Sequence, residues 1–315
     1  MADWLVEHGI GEERWLLVHN EQPIAARLFW PGDLRAGELV EARLTSRRKG
    51  SSRGVATTES GLEILVDRLP PSASEGATVA VEITRAAVAE RGRLKLAQAR
   101  IADAAKAQDG APPYDVVHRF PAGLWEEIWD AAWGGSIAFS GGSLLFDVTP
   151  AMCVVDIDGD LPPRELALAA IPAIVRALRW FDLGGSIAID FPTIPDKAGR
   201  KAVDAALEDG LAGWPHERTA MNGFGLVQIV ARLEGPSLLH RMANARIGAA
   251  ARMVLRKAEL LDGAGAIQLT VHPAVKTKLK PEWLHELARR TGRDIRVEAD
   301  PAIAIGAEHA QMVER

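Results

Sequence analysis

The chain has 315 residues, 48% of them hydrophobic and 25% charged, with a formal net charge of −5; this fits a globular protein of two or three domains and excludes a uniformly basic nucleic-acid binder. No run approaches about eighteen consecutive apolar residues, so neither a membrane-spanning helix nor a membrane partner is expected. The acidic start MADWLVEHGIGEE lacks a basic-then-apolar leader, and the single Cys153 allows neither an internal disulfide nor a cysteine-rich zinc knuckle, so a cytoplasmic location is expected.

Along the chain, the first 36 residues alternate as WLVEHG, RWLLVHN and IAARLFW, which predicts two or three short strands with NEQP as a turn. From Gly37 to about Asp103 further short strands follow: ELVEARLTSR, GVATTES, LEILVDRL and ATVAVEITRAA. Gly- and Ser-rich breaks and a basic loop separate them, the pattern of a small barrel of the OB type. The stretch AVAERGRLKLAQARIADAAKAQ (87–108) turns polar and predicts a helix, and DGAPP (109–113) reads as a linker. In PAGLWEEIWDAAWGG, Trp125, Trp129 and Trp133 recur every fourth residue on one helical face, a stripe for core or interface.

SIAFSGGSLLFDVTPAMCVVDIDGD predicts a hairpin running into CVVDIDGD (153–160), an apolar strand that breaks into Asp156, Asp158 and Asp160. A helical pattern follows, RELALAAIPAIVRALRW, and then a second buried strand, GGSIAIDF (184–191), which carries Asp190. Strand, helix and strand over about 35 residues form a βαβ unit with parallel strands. If those strands are neighbours, Asp156 and Asp190 share one carboxyl edge. Carboxylates gathered there repel unless a proton or a hard cation lies between them, and an oxygen-rich edge suits magnesium or manganese and is poor for zinc. The alternative is that these aspartates cap turns and helices. KAGRKAVDAALEDGLAG predicts a helix opened by Asp196, FGLVQIVAR a strand, and the segment from Gly235 to Leu261 one long basic helix. The tail reads strand, helix, strand, with Lys280-Pro281 opening the helix and Gly292 ending it.

The residues of 141–238 resemble the bacterial ribonuclease E/G endoribonucleases. SGGSLLFDVTPAMCVVDIDGD is similar to the strand-turn-strand that enters that family's metal-binding segment, and LRWFDLGGSIAIDF to the segment bearing its second ligand. GFGLVQIVARLEGPSL is similar to the strand and turn that follow, and ERGRLKLAQARI to the end of its OB-type domain. The resemblance implies an α/β and α+β multidomain chain. A ribonuclease H-like subdomain (1–36, resuming in 104–140 after a linker) would hold an inserted OB-type RNA-binding barrel (37–103). A catalytic deoxyribonuclease I-like subdomain (141–262) and a small C-terminal α+β domain (263–315) would follow. It implies Asp156 and Asp190 as ligands of Mg2+ or Mn2+, with Asp158 beside them, and hydrolysis of single-stranded RNA to 5′-phosphate and 3′-hydroxyl ends.

The departures from the family pattern define a compact variant. Asp158 stands where the family has asparagine, Thr193 where it often has aspartate, and Gly223 where an arginine precedes Phe224. The interval from Arg100 to Gly142 is too short for a domain that senses the RNA 5′ end. No CPxC-like motif follows Leu238, so the zinc link between protomers is not expected, although a homodimer is possible. Without aromatics between Arg43 and Arg100, RNA would be held through phosphates by Arg47, Arg48, Lys49, Arg53 and Lys95, with Arg232 and Arg241 beyond the core motifs. Two alternatives stand beside metal-dependent hydrolysis. One is cleavage through the RNA's own 2′-hydroxyl with His240, Arg241 and Arg232 as acid–base candidates; the other is an RNA-binding regulator without catalysis.

Overall fold

The computed structural model describes residues 3–102 and 112–314. Strands β1 (Asp3–Gly9), β2 (Glu12–His19) and β3 (Gln22–Phe29) form an antiparallel meander. Asn20 and Glu21, at φ 48° and 59°, make the two-residue turn of the β2–β3 hairpin, whose positive φ values match the twist of the flanking strands.

The chain then leaves this sheet and closes a five-stranded barrel from β4 (Leu39–Arg47), β5 (Gly54–Thr58), β6 (Glu63–Asp67), β7 (Thr78–Arg85) and β10 (Ala97–Ile101), in the order β10-β6-β5-β4-β7. Ala42, Ala56, Ala97 and Ala99 point into its narrow interior among Leu44, Ile64, Val66, Val81 and Ile83. The helix expected over 87–108 does not form in its described part. That part is a small hairpin, β8 (Val88–Glu90) and β9 (Arg93–Lys95) turning at Gly92 (φ 80°), followed by β10. Closing the barrel requires Ala97 and Ala99 to alternate inward, and this overrides the helix-favouring composition. The rest of that segment and most of the DGAPP linker lie outside the described residues.

On its return the chain adds β11 (Tyr114–Val117) parallel to β1, so the barrel is an insertion between β3 and β11. Helix α1 (Leu124–Gly134) buries Trp125, Ile128, Trp129 and Ala132, with Trp125 fully buried. Trp125 and Trp129 are therefore core residues and not the interface considered above. Trp133, partly buried, packs beneath Gly306.

The second large sheet has the order β12-β13-β14-β15-β17-β16. It is built from β12 (Ser136–Phe139), β13 (Gly142–Val148), β14 (Cys153–Gly159), β15 (Gly185–Asp190), β16 (His216–Arg218) and β17 (Leu226–Ala231). Helix α2 (Pro163–Trp180) crosses from β14 to β15 and packs on both sheets, reaching β3 on one side and β12–β14 on the other. That position explains its nearly continuous apolar surface, and the Trp180 indole donates to the Pro23 carbonyl at 2.7 Å. Helix α3 (Lys197–Gly210) lies against α2, and Asp196 caps it by accepting from the Gly199 amide at 2.6 Å.

The long basic helix expected over 235–261 is instead two helices, α4 (Leu238–Asn244) and α5 (Arg246–Glu259), broken at Ala245 with φ −138°. The tail holds β18 (Ala266–Val271), α6 (Pro273–Lys276), α7 (Pro281–Thr291), β19 (Ile295–Ala299) and β20 (His309–Val313), a three-stranded sheet ordered β19-β18-β20. A buried ion cluster ties α5 to the first sheet: Arg256 reaches Glu7 on β1 and Glu126 on α1, while Arg14 on β2 pairs with Glu7 and Glu12.

Candidate active site

Strands β14 and β15 are parallel neighbours, and their register sets Asp156 directly opposite Asp190. Along β14, Val155 and Ile157 are buried toward the helices while Asp156 and Asp158 are exposed; along β15, Ile189 is buried and Asp190 exposed. Alternation of strand side chains thus puts all three carboxylates on the open face of the sheet. The Asp156 and Asp190 backbones are about 4.8 Å apart by strand spacing, and Asp158 is about 6.7 Å farther along β14. The strand does not end at the carboxylates as expected but runs through Asp158 to Gly159, held by β13, where Leu145 pairs with Asp156 and Ser143 with Asp158. Among the described residues no group of three or more His, Cys, Asp or Glu side chains is placed to hold a metal.

Asp190 is the last residue of β15, and the turn entering β17 lies beside it, with Leu226 as its register partner. Asn222 organises this turn: its side-chain oxygen accepts from the amides of Phe224 and Leu226 at 2.9 and 3.1 Å. Phe224 is 83% exposed at the tip. An aromatic side chain so open next to a carboxylate pair was not singled out in the sequence; the signal was the NGFG turn immediately before a buried strand.

The other expected site residues do not converge on the acid pair. Arg48 and Lys49 are exposed in the β4–β5 connection, and Arg53 there pairs with Asp67 at 2.6 Å. The Arg47 guanidinium folds inward and donates to the carbonyls of Ser51, Pro70 and Ala73, holding its own loop. Lys95 pairs with Glu90 and Arg232 with Glu234. Arg241 is buried, paired with Asp33 at 2.9 Å and stacked on Trp30, and so is not a free surface cation. His240 caps the start of α4 together with Ser237, whose hydroxyl lies 2.7 Å from Nδ1 and accepts from the His240 amide. Burial lowers the affinity of His240 for a proton, with Lys95 and Arg241 adding to the effect. Its helix follows the far end of β17 from Asp190, because Ala231 pairs with Gly185 and Leu226 with Asp190. Cys153 is buried, and desolvation pushes its thiol up to about 12.

The ribonuclease E/G family profile matches residues 136–232, which span β12 through β17 and contain Asp156, Asp158, Asp190 and Phe224. Over that span the chain is similar to the ribonuclease E/G family. Ribonuclease G of Escherichia coli K12 is 29% identical over 191 residues, covering 51% of this chain and 39% of the relative. The ribonuclease G proteins of Shigella flexneri and Salmonella typhimurium SL1344 match at the same identity over the same shares. The chain therefore spans about two fifths of the length of these curated relatives. Within it, the part matching the ribonuclease E/G family is the sheet that presents the acid pair.

Proposed function

We propose that this chain is an endoribonuclease acting on single-stranded RNA, with Asp156 and Asp190 as the hydrolytic centre. The observation that carries the reading is their direct register pairing on the open face of the family-matching sheet. The donor set fits a hard divalent cation. Two adjacent carboxylates supply oxygen ligands at an exposed strand end, and magnesium is commonly held by one or two carboxylates with water and substrate phosphates completing its shell. When bound there, Mg2+ or Mn2+ would neutralise charge on the scissile phosphate and promote ionisation of the attacking water. Asp156 and Asp190 would fix the ion's position, and the open sheet face would leave room for the RNA backbone.

The insertion of the barrel between β3 and β11 supports reading the first sheet as the split ribonuclease H-like subdomain and the barrel as its OB-type RNA-binding insertion. Arg48, Lys49 and Arg53 at the barrel's β4–β5 connection then guide phosphates without reading sequence, which makes binding steeply salt-dependent.

The deciding experiment is cleavage of an end-labelled single-stranded RNA by the wild-type protein and Asp190→Asn, with and without excess EDTA, with the product ends mapped. Loss of cleavage in EDTA and in Asp190→Asn, with RNA binding retained and 5′-phosphate products from the wild type, is expected. Cleavage that persists in EDTA with cyclic-phosphate ends would overturn the acid-pair mechanism in favour of attack by the 2′-hydroxyl. Binding without cleavage would leave an RNA-binding regulator.

A further inference from the structure

A cavity of about 430 Å3 lies where the barrel meets the rest of the chain, away from the acid pair. Leu62, between β5 and β6 of the barrel, and Leu94, on the β8–β9 hairpin, line it together with Trp30, His240, Arg241 and Asn244. Leu94 is 60% and Leu62 40% exposed, so the cavity presents apolar surface that a ligand can cover. We propose that this cavity is a nucleobase-binding pocket that takes one base of the bound RNA; it rests on the RNA reading above.

The chemistry of the walls selects the occupant. Leucine, alanine and proline surfaces suit the faces of a heterocycle, and pockets of this size at the junction of two parts of a chain are typical small-ligand sites. The polar groups are of the kind that pair with a base edge. Ser237 engages Nδ1 of His240, leaving Nε2 without a protein partner among the described residues, and Asn244 adds an amide with both donor and acceptor capacity. Burial holds the imidazole toward its neutral form, suited to a neutral ring edge. A phosphate is disfavoured, because the acidic residues Asp33 and Glu63 are among those lining the cavity and Arg241 is already neutralised by Asp33. A simple alkyl ligand would leave His240 and Asn244 unpaired on binding.

Arg241 is part of the scaffold. Its guanidinium lies 4.4 Å from the centroid of Trp30, and that of Arg252 lies 4.1 Å from the same ring, so the indole is fixed from two directions. The Nε of Arg241 is buried without a hydrogen-bond partner at this wall. The pocket is thus rigid on the α4 side. On the barrel side it is bounded by the β8–β9 hairpin, where Arg93 and Lys95 share the single carboxylate of Glu90 and so leave one net positive charge near the phosphates flanking an inserted base. Along β17 alone the acid pair is about 17 Å from the end nearest α4, so the base recognised would sit several nucleotides from the scissile bond. Base preference would then appear at a fixed offset from the cut.

The test uses the full chain in two arms. In the first, a set of single-stranded RNA oligomers, each with one abasic position, is titrated against the wild-type protein, Ala89→Trp and His240→Ala in EDTA, so that binding is read without cleavage. Ala89 is an exposed residue of β8 on the cavity wall, and a tryptophan there narrows the mouth without entering a packed core. We expect one abasic position to weaken wild-type binding roughly tenfold, in keeping with the loss of one stacked base, and this step to vanish in Ala89→Trp. In the second arm, mononucleotides of the four bases are tested by equilibrium dialysis. Saturable binding lost in Ala89→Trp, without any abasic step in RNA, assigns the nucleobase pocket to free nucleotides. A flat abasic scan together with no mononucleotide binding overturns the proposal, whether or not the protein cleaves RNA. Loss of cleavage in Asp190→Asn with an intact abasic step separates the pocket from the acid pair.

Discussion

Gly225 is packed against Phe191, the residue after Asp190. The Phe191 amide donates to the Gly225 carbonyl at 3.2 Å, and a Cβ on Gly225 would fall 2.2 Å from the Phe191 carbonyl oxygen. Gly225 also has φ 95°, a conformation that side-chain-bearing residues rarely adopt. The turn carrying Phe224 is thereby pressed directly onto the end of the strand that presents Asp190. Gly225→Ala is expected to cost about 1–3 kcal/mol of stability. It should also lower RNA cleavage by more than the loss of folded protein accounts for. Urea denaturation with cleavage rates per folded molecule checks both, and unchanged cleavage per folded molecule would mean that the turn does not position Asp190.

Asp158 shares the open face with the acid pair. Its charge acts at a distance, about 0.6 kcal/mol for a unit charge 7 Å away in water and more where solvent is displaced. Asp158→Asn is expected to raise the half-saturating magnesium concentration for cleavage about threefold while leaving kcat at saturating magnesium unchanged. A fall in kcat that excess magnesium does not restore would make Asp158 a direct ligand.

Much of the acid pair's geometry was legible in the chain. Apolar residues around Asp156 and Asp190, joined by a helix of the right length, dictate parallel strands, and parallel neighbours place their ends together. The fate of Arg241 was not legible, because its partner Asp33 lies 208 residues away and its ring partner Trp30 is on another element. Nor was the break between α4 and α5, where Ala245 is neither glycine nor proline and carries no local stop signal. The β8–β9 hairpin was misread for the opposite reason. Its Ala, Arg, Lys and Leu residues favour a helix locally, and barrel closure is a long-range demand that composition does not display.

Glu7 is the hub of the buried ion cluster, contacted by Arg14 and Arg256 and by the Phe120 amide at 3.1 Å. Burial alone would raise its pKa, but the two guanidinium groups and the hydrogen bonds outweigh this and hold the carboxyl below the ordinary value of 4.5. A carboxyl with a lowered folded-state pKa contributes stability that is present above its unfolded value and lost as pH falls through the folded one. Glu7→Gln leaves two buried guanidinium groups short of charge and is expected to cost about 3–5 kcal/mol at pH 7. The difference from wild type should shrink below pH 4.5. Urea titrations at pH 7 and in acid check this, and a pH-independent difference would show that the charge of Glu7 is not what stabilises the fold.

Cys153 begins β14 with its thiol in the core and its pKa pushed up to about 12 by burial and by Asp147. Thiolate is the reactive species, so the native protein is expected to resist a thiol reagent at pH 8 and to react on unfolding. Labelling across a urea titration should therefore follow the unfolding curve. Fast labelling in the absence of urea would mean that β14 opens locally and that the strand bearing Asp156 is less fixed than its packing implies.

Phe224 offers an exposed aromatic ring on the turn next to Asp190, and Leu226, also exposed, follows it on the open face. A base next to the scissile phosphate can stack on such a ring, and stacking of this kind contributes about 1–3 kcal/mol per base with little regard for sequence. The contact is the same before and during cleavage, so it acts as uniform binding: Phe224→Ala should raise KM by roughly 5- to 160-fold with kcat nearly unchanged. Stability should stay within about 0.5 kcal/mol of wild type, because the ring packs against little. Phe224→Trp should restore KM, which a merely structural role in the turn would not predict. Steady-state cleavage of a short RNA by the three proteins decides it; an unchanged KM in Phe224→Ala would place the RNA elsewhere on the sheet.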